Sequence, residues 1–243
     1  MTYVLVHGSW HDGTAWGKVA DHLRSLGETV HTPTVAGHGK GVAKNVSHAE
    51  SVRSIVDYIN AEQLENVVLL GHSYGGTIIS KAVEQLQNRV KRLIFWNAFV
   101  LQDGESLADN TPPHYRGLFD HLAATSGDNT IMLPFPIWRE AFMNDSDLEL
   151  ATACYDLLSP EPNQFNEKLD LKVFYNLIQT HQIACSYINC TEDIALPPGE
   201  WAWHPRMSSR LGLYRLVQMP GSHEACFSNP KLLAEKIIEA GRD

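Results

Sequence analysis

The feature that most constrains how this chain can fold is the stretch of residues 67–83. Residues 67–70 are four consecutive apolar residues, two of them β-branched, which is typical of a short buried strand. Residues 71–75 read Gly-His-Ser-Tyr-Gly and fit the G-x-S-x-G pattern, and residues 77–83 continue as a helix. The two glycines allow the strand and helix backbones to approach closely. The sequence therefore predicts a sharp turn that presents the Ser73 hydroxyl at the carboxyl end of a strand.

Strand and helix patterns alternate on both sides of this turn. Predicted strands cover residues 2–6, 28–32, 67–70, 90–95, 183–190 and 214–219. Ser47 and Glu50 form a capping-box pattern at the start of an amphipathic helix before the Ser73 strand. Alternation at this spacing predicts an α/β fold with a mostly parallel, doubly wound sheet. Ligands of such sheets bind at the carboxyl ends of the strands.

The alternation is interrupted in the middle of the chain. Residues 103–182 contain several prolines and helical patterns but no strand like the earlier ones. We expect residues 1–102 and 183–243 to form the α/β core and residues 103–182 to form a helical cap inserted in the same domain. Residues 201–211 read as roughly helical. Aromatic side chains of the predicted cap and its surroundings suggest an apolar pocket, namely Phe135, Trp138, Phe142 and Trp201.

Composition excludes several classes of protein. The formal charge of −9 argues against nucleic acid or an anionic membrane as a partner, because both select clustered lysine and arginine. The four cysteines form no C-x-x-C pair, and no apolar run reaches the roughly 18 residues of a membrane span. Neither a signal peptide nor a metal or cofactor motif is recognisable. The chain is expected to be soluble and cytoplasmic, and its oligomeric state is left open.

The chemistry expected of Ser73 needs a base and an acid. A serine hydroxyl becomes nucleophilic when a neutral imidazole takes its proton and a carboxylate orients that imidazole. His223 lies in a loop directly after the last predicted strand, which is where the base belongs. Two acids compete for the third role: Asp193 after the penultimate strand, and Asp103 after the strand that ends near residue 100. The position of Asp193 favours it.

Two backbone N–H groups are needed to bind the negative charge that develops on a carbonyl oxygen. Tyr74, which follows the serine, supplies one of them. Ser9, which follows His7-Gly8 at the end of the first strand, supplies the other. Trp10 and His11 come next in the chain and are candidates for the substrate pocket.

Four segments together resemble the α/β-hydrolase superfamily: residues 3–11, the turn at residues 71–76, residues 190–193 and residues 220–223. The chain is most similar to the branch that contains plant methylesterases, hydroxynitrile lyases and bacterial esterases. The resemblance implies Ser73, Asp193 and His223 as the catalytic triad and Ser9 and Tyr74 as the oxyanion hole. Hydroxynitrile lyases of this branch carry a lysine directly after the catalytic histidine. This chain carries Glu224 there, which favours hydrolysis.

The sequence therefore predicts a serine hydrolase that cleaves a small to medium carboxylic ester through an acyl-enzyme, without a cofactor or metal. A carbamate or an amide is a further possible substrate, since bacterial relatives include benzimidazole-carbamate hydrolases. Two alternatives remain. One is a cofactor-free lyase or dioxygenase that uses only the His223–Asp base, and the other is a ligand receptor on the same fold.

Overall fold

The computed structural model describes residues 1–242 and contains one large sheet. Its strands lie in the order β2-β1-β3-β4-β7-β8, and every neighbouring pair is parallel. The strands of the described chain, including two short ones outside this sheet, are β1 (Thr2–Val6), β2 (Thr29–His31), β3 (Val67–His72), β4 (Val90–Trp96), β5 (Thr130–Ile131), β6 (Glu161–Pro162), β7 (Ala184–Cys190) and β8 (Tyr214–Met219). The predicted parallel sheet is confirmed, with strand bounds that differ from the expected ones by two residues at most.

Helices cover both faces of this sheet. The helices of the described residues are α1 (Gly17–Ser25), α2 (His48–Ala61), α3 (Gly75–Ala82), α4 (Pro113–Thr125), α5 (Phe135–Ile137), α6 (Leu148–Tyr155), α7 (Lys172–Gln179), α8 (Ala225–Ser228) and α9 (Pro230–Gly241). The buried faces of α1 and α9 form one hydrophobic core with one side of the sheet, and those of α2 and α3 form a second core with the other side. The predicted capping box is present at the start of α2, where Ser47 and Glu50 exchange side-chain to backbone hydrogen bonds. The doubly wound arrangement is confirmed.

Residues 103–182 lie between β4 and β7 and pack on the core that contains α2 and α3. Helices α4 to α7 belong to this segment. One expectation was wrong: the segment also contains strands, because β5 and β6 pair antiparallel through Thr130 with Pro162 and Ile131 with Glu161. Two residues per strand are too short to leave the alternating apolar pattern that identifies strands in sequence. We refer to residues 103–182 as the cap.

The segment that follows β7 also differs from expectation. Of residues 201–211, only Ser208–Leu211 forms a helical turn, and this turn is of the 3₁₀ type. The preceding residues form bends and turns that carry the Trp203 side chain into the interior, where it is 3% exposed. The spacing of the apolar residues in this stretch resembles that of a helix face. In the structure these residues belong to a loop, and each packs into the interior separately.

Candidate active site

The turn between β3 and α3 holds Ser73 in a strained conformation. Ser73 has a backbone φ of 52°, a left-handed value that is uncommon for a residue with a side chain. The turn is tight because glycines surround it. A Cβ atom on Gly71 would lie 2.5 Å from the carbonyl oxygen of Gly75, and one on Gly75 would lie 2.7 Å from the carbonyl oxygen of His7. Only glycine at both positions lets β1, β3 and α3 meet at this point, so the predicted turn and its physical reason are both present.

The imidazole of His223 lies against the carboxylate of Asp193. Its Nδ1 donates to Asp193 Oδ2 at 2.6 Å, and the side chains are 1% and 0% exposed. The other predicted acid, Asp103, lies elsewhere: its Oδ1 accepts from the Leu171 backbone N–H at 2.8 Å, and its side chain is 39% exposed. The structure therefore brings Asp193 and His223 together. Asp103 instead accepts a hydrogen bond from the turn before α7.

Asn97 fixes the Asp193 carboxylate and was not identified from sequence. Its Nδ2 donates to Asp193 Oδ2, and its Oδ1 accepts from the Cys190 backbone N–H at 2.9 Å. Asp193 Oδ1 accepts in addition from the Ala195 backbone N–H at 2.8 Å. Asn97 is fully buried at the end of β4 and has a φ of 36°. An asparagine directly after a strand that neighbours the acid strand was the one available signal for this role.

Aromatic rings enclose His223. Trp203 stacks on its imidazole with a centroid distance of 5.2 Å and an angle of 15°, and Phe142 meets it edge-on at 5.1 Å. His72 Nε2 donates to the His223 backbone carbonyl at 3.0 Å. Burial lowers the pKa of His223, but the carboxylates of Asp193 and Glu224 outweigh burial, so that the net shift of its pKa is upward. The imidazole is therefore a stronger base than a histidine in water.

Glu224 is a buried carboxylate behind His223. It is 1% exposed, and His11 Nε2 donates to its Oε2 at 3.1 Å. Burial raises the pKa of Glu224, but His11, His72 and His223 together lower it to about 2. Glu224 is therefore charged at neutral pH within a group of imidazoles. This contact also corrects the sequence-based placement of His11, which lies beneath the site against Glu224 instead of on the wall of the pocket.

The expected oxyanion hole lies where β1 meets the turn. A Cβ atom on Gly8 would be only 3.1 Å from Ser73 Cβ, so the Gly8 backbone passes directly beside the serine. The hydrogen bonds of residues 1–242 leave the backbone N–H groups of Ser9 and Tyr74 without a protein acceptor. His7 holds the loop in place, since its Nδ1 donates to the Gly8 carbonyl and its Nε2 accepts from the Val35 N–H at 3.0 Å. Both amides are therefore available to a ligand.

A partly enclosed cavity opens onto Ser73 and His223. Trp10 lines it as expected, and so does Phe142, whereas Phe135, Trp138 and Trp201 do not. Trp138 is fully buried and donates to the Ala151 carbonyl, and Phe135 packs on Tyr155. Aromatic residues of core and pocket cannot be told apart by type alone. The lining residues are Ser9, Trp10, Ser73, Phe99, Leu107, Thr111, Tyr115, Phe119, Phe142, Glu161, Phe165, Ala195, Leu196, Trp203 and His223.

One group of side chains in residues 1–242 has the chemistry of a metal site, namely His72, His223 and Glu224, whose ligand atoms lie within 4.8 Å of one another. All three side chains already have protein partners. His72 donates to the His223 carbonyl, His223 to Asp193, and Glu224 accepts from His11. A metal ion bound here would compete with the contacts that orient His223.

A parallel sheet with a serine on a strained turn, a buried His–Asp pair beside it and a cap over both defines the architecture of an α/β hydrolase. The chain belongs to the alpha/beta hydrolase family, whose model matches residues 3–236. The resemblance derived from sequence is thereby confirmed.

Individual relatives agree with this assignment. A solved structure, described as an extracellular alpha/beta-hydrolase from a Paenibacillus species with structural and functional homology to tobacco salicylic acid binding protein 2, is 44% identical. It superposes with a TM-score of 0.96 over 100% of both chains. The carbendazim hydrolyzing esterase of Nocardioides sp. is 35% identical over 144 residues, which is 55% of this chain and 60% of that enzyme. Salicylic acid-binding protein 2 of Nicotiana tabacum is 25% identical over 98% of this chain and 95% of its own length.

Within the described residues, no helix is both long and apolar enough to cross a bilayer. The Paenibacillus relative is described as extracellular. The expected cytoplasmic location therefore stays a prediction.

Proposed function

We propose that this protein is a serine hydrolase that cleaves small to medium carboxylic esters through an acyl-enzyme intermediate. The observation that carries the proposal is the shared position of Ser73 and His223 on one cavity, with His223 Nδ1 held by Asp193 at 2.6 Å. Because Nδ1 is occupied by the carboxylate, Nε2 is the nitrogen left to accept the serine proton. The relatives named as esterases support the same class of reaction.

In the first half of the reaction, Ser73 Oγ attacks the ester carbonyl while His223 takes its proton. Asp193 stabilises the imidazolium, and Asn97 and the Ala195 N–H keep the carboxylate in place. The carbonyl oxygen becomes an oxyanion within reach of the free N–H groups of Ser9 and Tyr74. His223 then protonates the departing alcohol, leaving the acyl group on Ser73.

In the second half, water replaces the alcohol. His223 takes a proton from the water as it attacks the acyl carbonyl, the same N–H groups bind the second oxyanion, and the proton returns to Ser73 Oγ as the carboxylic acid leaves. The rings of Trp203 and Phe142, which pack on His223, keep bulk water away from the imidazole. No cofactor takes part in this scheme.

The cavity supports an ester with an apolar or aromatic body, because most of its lining is aromatic or aliphatic. Carbamates are a second substrate class, favoured by the relative that is named for carbendazim hydrolysis. A carbamate requires the same attack on a carbonyl and the same oxyanion hole.

The test of the proposal is Ser73→Ala. Replacing the serine should lower the turnover of p-nitrophenyl acetate by about a millionfold, because no nucleophile remains, and should leave the thermal unfolding temperature nearly unchanged. The wild type should release a burst of p-nitrophenol equal to the enzyme concentration. Ser25→Ala, an exposed serine at the end of α1, is the matched control.

The burst distinguishes the alternatives. A lyase or dioxygenase that uses only the His223–Asp193 base would release no stoichiometric burst, and a receptor would bind ligand without turnover. A Ser73→Ala variant that kept a tenth of the activity would exclude Ser73 as the nucleophile.

A further inference from the structure

One charged side chain of the cavity has no part in the chemistry above. Among the lining residues of the described chain, Glu161 is the only one that carries a carboxylate. It lies on β6 in the cap, and its side chain is 14% exposed. The paired strand β5 is anchored to the wall of the cavity, because the Ile131 carbonyl accepts from Trp10 Nε1 at 3.0 Å. Glu161 therefore sits on a braced element at the cavity and not on a free loop.

A buried imidazole lies close to this carboxylate. His38 Nε2 lies 3.8 Å from Glu161 Oε2, and the His38 side chain is 1% exposed. Gly37, with a φ of 84°, brings this loop against β6, since a Cβ there would lie 2.7 Å from Pro162 Cγ. The His38 ring is stacked on Tyr74 with a centroid distance of 5.3 Å. Glu161 and His38 therefore lie where the cap meets the turn that carries Ser73.

His38 does not donate a hydrogen bond to Glu161, although the two side chains are close. His38 Nδ1 contacts the Ala36 carbonyl at 3.2 Å, and a carbonyl can only accept, so Nδ1 carries the proton. His38 Nε2 has no hydrogen-bond partner among the described residues. Glu161 therefore receives no hydrogen bond from His38.

No lysine or arginine of residues 1–242 lies within salt-bridge distance of Glu161. Lys44 is the neighbouring cation, and its charge acts on Glu161 from a greater distance. Its Nζ donates to the Gly39 carbonyl at 2.7 Å and to Ser159 Oγ at 3.4 Å, so Glu161 receives no hydrogen bond from it. A carboxylate that lines an apolar cavity loses hydration when a ligand enters, and a hydrogen-bond donor or a positive charge on the ligand offsets that cost.

We propose that Glu161 selects substrates that combine an apolar or aromatic body with a cationic or N–H-donating group. This inference rests on the proposed function, in that the cavity is taken to be the substrate site. A group with two N–H donors in a fork fits best, because it pairs with both oxygens of one carboxylate. Substrates with an anionic group at this end are excluded by repulsion. The chemistry selected is that of an amidine, an amine or an amino-substituted heteroaromatic ring.

Benzamidine and benzamide are the probes, because they have nearly the same shape but only benzamidine is a cation with N–H donors on both nitrogens. Their dissociation constants should be measured by titration calorimetry at neutral pH. In the wild type, we expect benzamidine to bind about tenfold more tightly than benzamide, the scale of one charge-assisted hydrogen bond. Benzamidine should also inhibit p-nitrophenyl acetate hydrolysis competitively, which places it in the cavity.

Glu161→Gln should reduce the benzamidine preference to near one, because it should weaken the binding of the benzamidine cation far more than that of the neutral benzamide. The matched control is Glu149→Gln, which removes the same charge from an exposed position of the cap and should keep the preference. A ratio near one in the wild type overturns the proposal whatever the variants do. A preference that survives Glu161→Gln, or that is lost in Glu149→Gln, also overturns it.

These outcomes are separate from the test of the proposed function. A wild type that prefers benzamidine but shows no Ser73-dependent turnover of p-nitrophenyl acetate contradicts ester hydrolysis and leaves the selectivity of the cavity intact. A wild type with a normal burst and no benzamidine preference contradicts the role of Glu161 alone.

Discussion

Two carboxylates act on the His223 imidazole from different sides. Asp193 touches Nδ1 directly, so it sets both the tautomer and the orientation of the ring. Glu224 does not bond to the ring and acts only through its field and through His11. The two contributions can be separated by substitution, because the first affects the geometry of the base and the second only its basicity.

Asp193→Asn should lower kcat for ester hydrolysis by about ten thousandfold, because the amide stabilises the wrong tautomer of His223. Asp103→Asn is the comparison variant and should lower kcat far less. Asp103 does not line the cavity, and its carboxylate accepts a hydrogen bond from the Leu171 N–H. Initial rates with p-nitrophenyl acetate are sufficient to measure both. A larger loss of kcat in Asp103→Asn than in Asp193→Asn would mean that the acid follows β4. That result would contradict a role for the Asp193–His223 contact.

Glu224→Gln should shift the pH dependence of kcat/KM. The carboxylate stabilises the imidazolium and so raises the pKa of His223. Its removal lowers that pKa, and because hydrolysis requires the neutral imidazole, the rising limb of the pH profile moves to lower pH. Glu192→Gln, an exposed acid next to Asp193, is the control and should leave the limb in place. A limb that does not move in Glu224→Gln means that Glu224 only supports His11.

At the scale of elements, the site depends on how closely β1, β3 and α3 meet. The glycines of the turn are surrounded by backbone atoms that cannot move aside independently. The glycine of α4 is in the opposite situation, since a Cβ on Gly117 would meet nothing within 4 Å. Replacing glycine by alanine should therefore lower the stability of the fold in α3 and raise it in α4.

Gly75→Ala should destabilise the fold and abolish activity together, because its Cβ would lie 2.7 Å from the His7 carbonyl oxygen and force β1 away from the turn. Gly117→Ala should raise the free energy of unfolding by about 0.5–1 kcal/mol through helix propensity and leave activity unchanged. Urea unfolding with activity assays on the same samples measures both. A Gly75→Ala protein of normal stability and activity would show that the turn is not tightly packed.

The sequence was informative where backbone geometry dictates residue type. Gly71 and Gly75 predicted the turn, the four apolar residues before it predicted β3, and positions after two strands placed Asp193 and His223 at one edge of the sheet. Each of these depends on local rules that few residue types satisfy. Strand position favoured Asp193 over Asp103, and in the structure Asp193 is the one that contacts His223.

The sequence was uninformative where a residue's role depends on the face it presents. Trp138 and Phe119 are both aromatic residues of the cap, but only Phe119 reaches the cavity. His11 was expected in the pocket and instead lies against Glu224, a contact across more than two hundred residues. Asn97 and Glu161 gain their significance from neighbours that only the folded chain supplies. Contacts between residues that are far apart in the chain leave no local pattern in the sequence.

At the scale of the whole molecule, the proposed catalytic residues and most of the cavity wall come from different parts of the chain. Ser73, Asp193 and His223 follow β3, β7 and β8 of the sheet. The cap contributes Leu107, Thr111, Tyr115, Phe119, Phe142, Glu161 and Phe165 to the lining. A change in the cap can therefore alter which substrate fits without altering the base, provided that it stays away from Phe142, which touches His223.

Phe119→Leu is the variant that tests this separation. Its ring packs on Trp10 at 6.0 Å and on Phe165 at 5.4 Å, so trimming it enlarges the cavity between them. The ratio of kcat/KM between long and short acyl esters of p-nitrophenol should change by about tenfold, the scale of one methylene group in a pocket. The pH profile should stay unchanged, because the groups around His223 are untouched. Two controls carry losses of packing away from the cavity: Phe174→Leu in the cap, whose ring packs on Phe95, and Val56→Ala in α2. If the controls change the ratio as much as Phe119→Leu does, or if Phe119→Leu leaves it constant, the cap does not determine substrate choice and its contribution is to stability alone.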